Sequence, residues 1–187
     1  MLLTFPARLR STHQDGHAGY SDPIDEQIFV VGVINALMQG NEWKEAAVII
    51  AWDDSDGWYD HQMGTIVMQS TVSDDQLLGP GNCGSPKAND VAGGKQNGRC
   101  GFGPRLPLLV VSSWAKKNFI DDTITDQSSI LRFIEDNWNL GRIGGGSVDA
   151  IAGTLDNMFD FDRDHRDHAR TRILDPTTGQ VVDSNNE

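Results

Sequence analysis

Apolar residues fall along this chain in blocks of different period, and each period predicts an element. From Asp22 to Met38 the positions Ile24, Gln27, Ile28, Val31, Ile34 and Leu37-Met38 recur at three- and four-residue steps. That spacing predicts a helix with one structural apolar face. Asp22 is placed to cap it, Pro23 fits its first position, and Asp25 and Glu26 suit the positive end of its dipole. The pattern stops near Gly40. Ala47-Val48-Ile49-Ile50-Ala51-Trp52 has no polar alternation, as in a strand covered on both faces of a parallel sheet. Pro107-Leu108-Leu109-Val110-Val111-Ser112 is a second run of the same kind, short, apolar and β-branched. A further helix is expected over Gln127–Trp138, capped by Asp126, with Ile130, Leu131, Phe133, Ile134 and Trp138 on its buried side. Gly141 to Gly146 ends it, and Ser147 and Asp149 open another helical stretch through Ile151, Leu155, Met158 and Phe159 to about Phe161.

Between these blocks the chain is polar. Thr65-Ile66-Val67-Met68 has the length of a short strand, inside a Ser-, Asp- and Gly-rich excursion that continues to Gly81. From Asp162 the run DRDHRDHARTR alternates charges with little apolar content, which predicts a solvated segment. Ile173 to Val182 suits a small hairpin around Pro176-Thr177-Thr178-Gly179. Strands separated by a long insertion, with helices before and after, predict α/β architecture rather than a bundle or a sandwich.

Composition narrows the partners. With 187 residues and 38% hydrophobic content the chain reads as one domain or a large part of one. A formal net charge of −12 argues against nonspecific binding of nucleic acid or an anionic bilayer, and it suits cations. No apolar run approaches membrane-spanning length, so no transmembrane segment is expected. The opening MLLTFPARLRST is too short in apolar residues for a signal h-region, which predicts a cytoplasmic chain as written.

Candidate chemistry gathers where the first strand should end. Asp53 and Asp54 follow it directly, and ligands of open α/β sheets collect beyond the carboxyl ends of strands. Paired carboxylates there are hard oxygen donors for a divalent cation. The same Asp-Asp-Ser-Asp-Gly string also satisfies the chemistry of a polar turn, and the residues alone leave both readings open. His17 lies in a glycine-punctuated loop whose small neighbours leave its ring accessible, although most loop histidines are merely solvated. Cys83 and Cys100 bracket a loop rich in Gly, Asn and Lys; a disulfide would restrain it, and two free thiols are the alternative. His165 and His168 in the charged tail are weaker metal candidates.

The strings GHAGYSDPIDEQ, VIIAWDDSDGWYDH, RCGFGPRLPLLVVSSWAKKNFIDDTITDQSSILRFIEDNW and GGGSVDAIAGTLDNMFDF, in this order, resemble the carboxyl-terminal half of bacterial phosphoesterases of the phospholipase C and acid phosphatase family. The resemblance covers about Gln14 to Phe161. It divides the chain into an unmatched segment 1–12, a phosphoesterase part 13–161, and a charged tail 162–187 that is solvated or a small hairpin. It implies an α/β fold with a partial alkaline-phosphatase-like core, a mainly parallel sheet flanked by helices. The implied activity is hydrolysis of phosphate monoesters or phospholipids by an exported, secreted or periplasmic, protein. The implied cofactor is a divalent metal ion, bound by Asp53 and Asp54, with His17 contacting phosphate or protonating the leaving group. His61 follows the same strand end, and both a catalytic role facing the site and a loop-fixing hydrogen bond stay open for it. The resemblance also implies a pairing of Cys83 with Cys100.

The departures from the family are as informative. Its amino-terminal half, which supplies the hydroxyl nucleophile and an acid-plus-amide metal site, has no counterpart here, and Asp122 stands where members carry histidine. Phosphoryl transfer without these groups lacks an acceptor and much of its charge stabilisation. Three functions are therefore expected to compete: a truncated phosphoesterase of weak activity that needs its amino-terminal half, a catalytically silent fragment, or a cation-binding or interaction module.

Overall fold

The structure is a computed structural model that describes residues 16–17, 19–55, 60–62, 64–65, 102–145, 147–162 and 170–182. The chain divides into two compact units. The first comprises residues 1–48, 110–115 and 161–187, and the second residues 49–109 and 116–160.

In the first unit, helix α1 runs over Pro23–Met38. It begins as the sequence predicts: Pro23 opens it, and Asp22 Oδ1 accepts from the Ile24 backbone N–H at 2.8 Å. It closes through bonds from Gln39 N to Asn35 O and Gly40 N to Leu37 O. Its expected apolar face is not sealed. No residue of α1 is fully buried, and Ile24 and Ile28 are 46% and 40% exposed. Two side-chain amides tie the helix to a distant part of the chain. Asn35 Nδ2 donates to the Leu174 carbonyl at 2.7 Å while its Oδ1 accepts from the Leu174 N–H at 3.1 Å. Gln27, eight positions earlier, donates to the Pro176 and Thr177 carbonyls, both at 2.9 Å.

Those partners belong to the hairpin expected at Ile173–Val182. Leu174 and Val181 form an antiparallel bridge, and Gly179, at a φ of 69°, makes the turn that only a residue without a Cβ adopts freely. Asp175 organises this turn, its carboxylate accepting from Thr177 N, Thr178 N and the Thr178 hydroxyl. A 3₁₀ turn, Asn41–Glu45, follows α1 and buries Trp43. The Trp43 indole donates to the Arg170 carbonyl at 2.7 Å, and the Arg170 guanidinium donates to the carbonyls of Ser113 and Ala115.

Strands β1 (Ala47–Ala51) and β2 (Leu108–Ser112) form the sheet among the described residues. They run antiparallel: the Ser112 hydroxyl, at the end of β2, donates to Ala46 O just before β1 begins, at 2.7 Å. This corrects the expectation of parallel pairing for these two strands. An unbroken apolar run reports cover on both faces and carries no information about direction. Even the cover is partial, since Ala47 and Ala51 are exposed and the residues between them half-buried.

In the second unit, helix α2 spans Ser128–Trp138. It starts one residue later than the sequence predicts, with Gln127 rather than Asp126 at the N-cap, and Asp126 supports the start from one position earlier: its carboxylate accepts from the backbone N–H and hydroxyl of Ser128. Ser129 Oγ in turn accepts from Asp126 N, a reciprocal arrangement. Asn139, left-handed at a φ of 52°, ends the helix before the glycines do. Phe133 stacks on Phe159 at 5.0 Å between ring centroids. Trp138 departs from expectation at 49% exposure, while Ser129 and Glu135 are buried. The stretch from Ser147 to Phe161 is also not one helix. It forms two 3₁₀ turns, Val148–Ala150 and Asp156–Met158, and between them Gly153 lies so close to the Ile124 carbonyl that a Cβ there would collide with it. Ala152, Leu155 and Phe159 nonetheless supply its buried apolar core.

The short strand suggested at Thr65–Met68 lies largely outside the described residues. Cys83, Cys100, His165 and His168 lie outside them altogether.

Candidate active site

The carboxylate pair stands where the sequence puts it. β1 ends at Ala51, and Asp53 and Asp54 follow on exposed backbone in the second unit. Asp53 Oδ1 accepts from the Asp54 N–H at 3.0 Å, a turn-forming contact. The carbonyls of Trp52 and Asp53 are past the end of the strand, and one side chain holds both. Gln127 Nε2 donates to Trp52 O at 2.9 Å and to Asp53 O at 2.7 Å.

His61, exposed, lies farther along the same segment. Its neighbour Asp60 is fixed from two sides: Oδ1 accepts from Gln62 N at 3.1 Å, and Oδ2 pairs with Arg105 Nε at 2.6 Å. The Gln62 N–H, followed by the Arg105 guanidinium, holds the Asp60 carboxyl below the usual aspartate range against the opposing effect of desolvation. Nearby, a Cβ on Gly64 would collide with the Gly103 carbonyl, so only glycine permits that approach.

His17 belongs to the first unit. Its exposed ring stacks on Tyr20 at 4.2 Å, and its carbonyl accepts from Ser21 N at 3.0 Å. The loop requires its glycines, since Gly16 and Gly19 have φ values of 66° and 107°. Asp53, Asp54 and His61 therefore share one unit, and His17 is in the other.

Two polar clusters escaped the sequence reading. In the first, Asp121 Oδ1 accepts from Asn157 Nδ2 at 2.8 Å, from the Thr123 hydroxyl at 2.8 Å and from Thr123 N. Burial pushes the Asp121 carboxyl up, but these bonds outweigh it and leave the pKa below the ordinary value. Asp122, at the family's histidine position, is exposed beside it. In the second, Arg142 joins Glu135 at 3.3 Å and Asp136 at 2.6 Å. Buried Asp149 accepts from Ile143 N in the same cluster, and its pKa is lowered first by the Ser147 side chain, against desolvation, and then by that N–H. Both clusters staple turns. Asn157 lies 36 residues along the chain from Asp121, so no local pattern links the two, whereas Arg142 lies 7 residues from Glu135, just past the end of α2.

Among the described residues no three His, Cys, Asp or Glu side chains gather as a metal site. The donor chemistry of Asp53 and Asp54 still fits a divalent cation, since hard cations take carboxylate oxygens.

The paired acids at a strand end, backed by a capped helix, define a segment of the mixed α/β class. Residues 7–141 match the Phosphoesterase family, and the chain belongs to that family. It is similar to the non-hemolytic phospholipase C of Pseudomonas aeruginosa, with 28% identity over 149 residues, covering 78% of this chain and 21% of that protein. The non-hemolytic phospholipase C of Burkholderia pseudomallei is 33% identical over 139 residues, 71% of this chain and 19% of that protein. A hemolytic phospholipase C of P. aeruginosa is 28% identical over 143 residues, 72% and 18% of the two chains. The chain thus spans about a fifth of the length of these curated relatives. No helix among the described residues is long and apolar enough to cross a membrane.

Proposed function

We propose that this chain is the metal-ligating portion of a phosphate-ester hydrolase, with Asp53 and Asp54 as ligands of one divalent cation. The supporting observation is the exposed carboxylate pair at the end of β1, inside the segment that matches the family. Phospholipids are the proposed substrate class, because the relatives are phospholipases C. A bound cation would supply Lewis-acid stabilisation of charge on the phosphoryl oxygens. The chain's own residues hold and orient: Asp53 and Asp54 provide anionic oxygens, and Arg105 fixes Asp60 and with it the backbone that carries His61. The His17 imidazole is proposed as hydrogen-bond donor or acid toward a phosphate oxygen.

The nucleophile and the rest of the metal shell are proposed to come from polypeptide beyond this segment, within an alkaline-phosphatase-like core. The coverage of about a fifth of the relatives supports that reading. The chain alone is then weakly active at most. An exported compartment is proposed on the family resemblance, and with it a Cys83–Cys100 disulfide.

Calorimetry with manganese, run beside hydrolysis assays on p-nitrophenyl phosphate and phosphatidylcholine, tests the proposal. Asp53→Asn should weaken metal binding by more than the ~10–100-fold that accompanies loss of an outer-shell partner. Hydrolysis by the chain alone should be slight. Metal binding that survives replacement of both Asp53 and Asp54 removes the ligand assignment. Brisk turnover that is lost in Asp53→Asn removes the requirement for further polypeptide.

A further inference from the structure

We infer that Gln127 is a positioning residue for the Asp53–Asp54 pair, an inference that rests on the ligand assignment proposed above. Past Ala51 the chain leaves the strand, so the carbonyls of Trp52 and Asp53 need partners other than a sheet ladder. Gln127 Nε2 has two hydrogens and donates toward both carbonyls, at 2.9 and 2.7 Å. The Trp52 carbonyl lies in the peptide plane before the Asp53 Cα, and the Asp53 carbonyl in the plane after it. Holding both planes fixes φ and ψ of Asp53, and hence the direction of its Cα–Cβ bond. The second plane also carries the Asp54 N–H, which returns to Asp53 Oδ1 at 3.0 Å. One amide thereby sets the backbone from which both carboxylates project.

The amide itself has a firm base. Gln127 is the N-cap residue of α2, next to Asp126, whose carboxylate binds Ser128 and whose N–H binds the buried Ser129. Its orientation is dictated as well, since an amide turned over would set its oxygen against two carbonyl oxygens. Gln127 is exposed, so replacing it disturbs little packing. A metal ligand's outer-shell partner commonly controls affinity by about tenfold or more.

Terbium ion alone is a suitable probe, because it takes oxygen ligands and its emission can be sensitised by Trp52, adjacent to Asp53 and 36% exposed. Titration of the full chain should give Trp-sensitised emission that disappears in the double variant Asp53→Asn, Asp54→Asn. Gln127→Met, similar in length but without donors, should bind terbium about tenfold more weakly while its thermal unfolding midpoint stays at the wild-type value. Gln127→Asn, which keeps the amide but shortens its reach, should weaken binding likewise. Wild-type affinity in either folded Gln127 variant, with emission still lost in the double aspartate variant, overturns the positioning role alone. Emission that persists in the double aspartate variant overturns the ligand assignment and the positioning role together.

Discussion

Replacement of Trp43 is the sharpest test of what holds the first unit together. Its side chain is 3% exposed, and its indole N–H reaches the Arg170 carbonyl at 2.7 Å. Truncating a buried aromatic to alanine costs about 3–5 kcal/mol, against a total stability of about 5–15 kcal/mol for an ordinary domain. Trp43→Ala should therefore remove a large share of the unit's stability. Trp43→Phe keeps a ring but leaves the Arg170 carbonyl without its donor, a loss of about 1–3 kcal/mol. The consequence extends past that bond, because the Arg170 guanidinium ties down Ser113 O at 3.2 Å and Ala115 O at 2.7 Å. Trp43→Phe and Arg170→Met act on one chain of contacts, so their double-mutant cycle should show a coupling of about 0.5–3 kcal/mol. Urea unfolding followed by circular dichroism measures all of these. With a slope near ~2 kcal/mol/M, Trp43→Ala should lower the midpoint by about 2 M. A drop below about 0.5 M at unchanged slope, or additive single effects, would refute this account of the core.

Other substitutions probe single contacts. Gly153→Ala places a Cβ against the Ile124 carbonyl, and this overpacking should cost about 1–3 kcal/mol by the same urea assay. Asn35→Leu removes both amide bonds to Leu174, so hydrogen exchange over 173–182 should accelerate while α1 itself persists. Asp175 predicts an acid limb. Its carboxyl is held below the ordinary 3.8, first by the Thr178 N–H, then by the Thr178 hydroxyl and Thr177 N–H, against desolvation. A depressed folded-state value means the contribution is fully present above pH 3.8 and is lost as pH falls through the lower folded value. In an NMR titration the Thr178 amide should therefore stay constant from neutrality to about pH 4 and move only below it. Asp175→Asn, whose oxygen still accepts, should flatten that response.

Local chemistry was the legible part of this fold. Asp22 and Pro23 start α1, Asp126 binds the first residue of α2, Asp53 and Asp54 follow a strand, and Pro176 to Gly179 turn a hairpin, all through contacts within a few residues. Direction and cover were not legible. The apolar runs of β1 and β2 are equally compatible with either strand polarity, and the periodic face of α1 does not disclose that Gln27 and Asn35 would make its described contacts. The single helix expected over 147–161 is absent although Leu155 and Phe159 are buried as their spacing suggests, and the close approach of Gly153 to Ile124, a contact made across 29 residues, leaves no trace in that spacing. Within the site, the Asp53–Asp54 pair was visible as adjacent letters. Gln127 was invisible, because a glutamine next to a capping aspartate gives no hint that it reaches back 74 residues to a strand end.

The amides of α1 also set an order of events during synthesis. Asn35 waits for Leu174, 139 residues later, and Trp43 waits for Arg170, 127 residues later. At ribosomal rates of about 5–20 residues per second that separation amounts to about 6–28 seconds. Throughout it, the turn after α1 would present an uncovered Trp43, buried in the finished fold, to any chaperone near the exit tunnel. A pause or premature stop before Arg170 would release a chain whose first unit cannot close, whatever the state of Asp53 and Asp54.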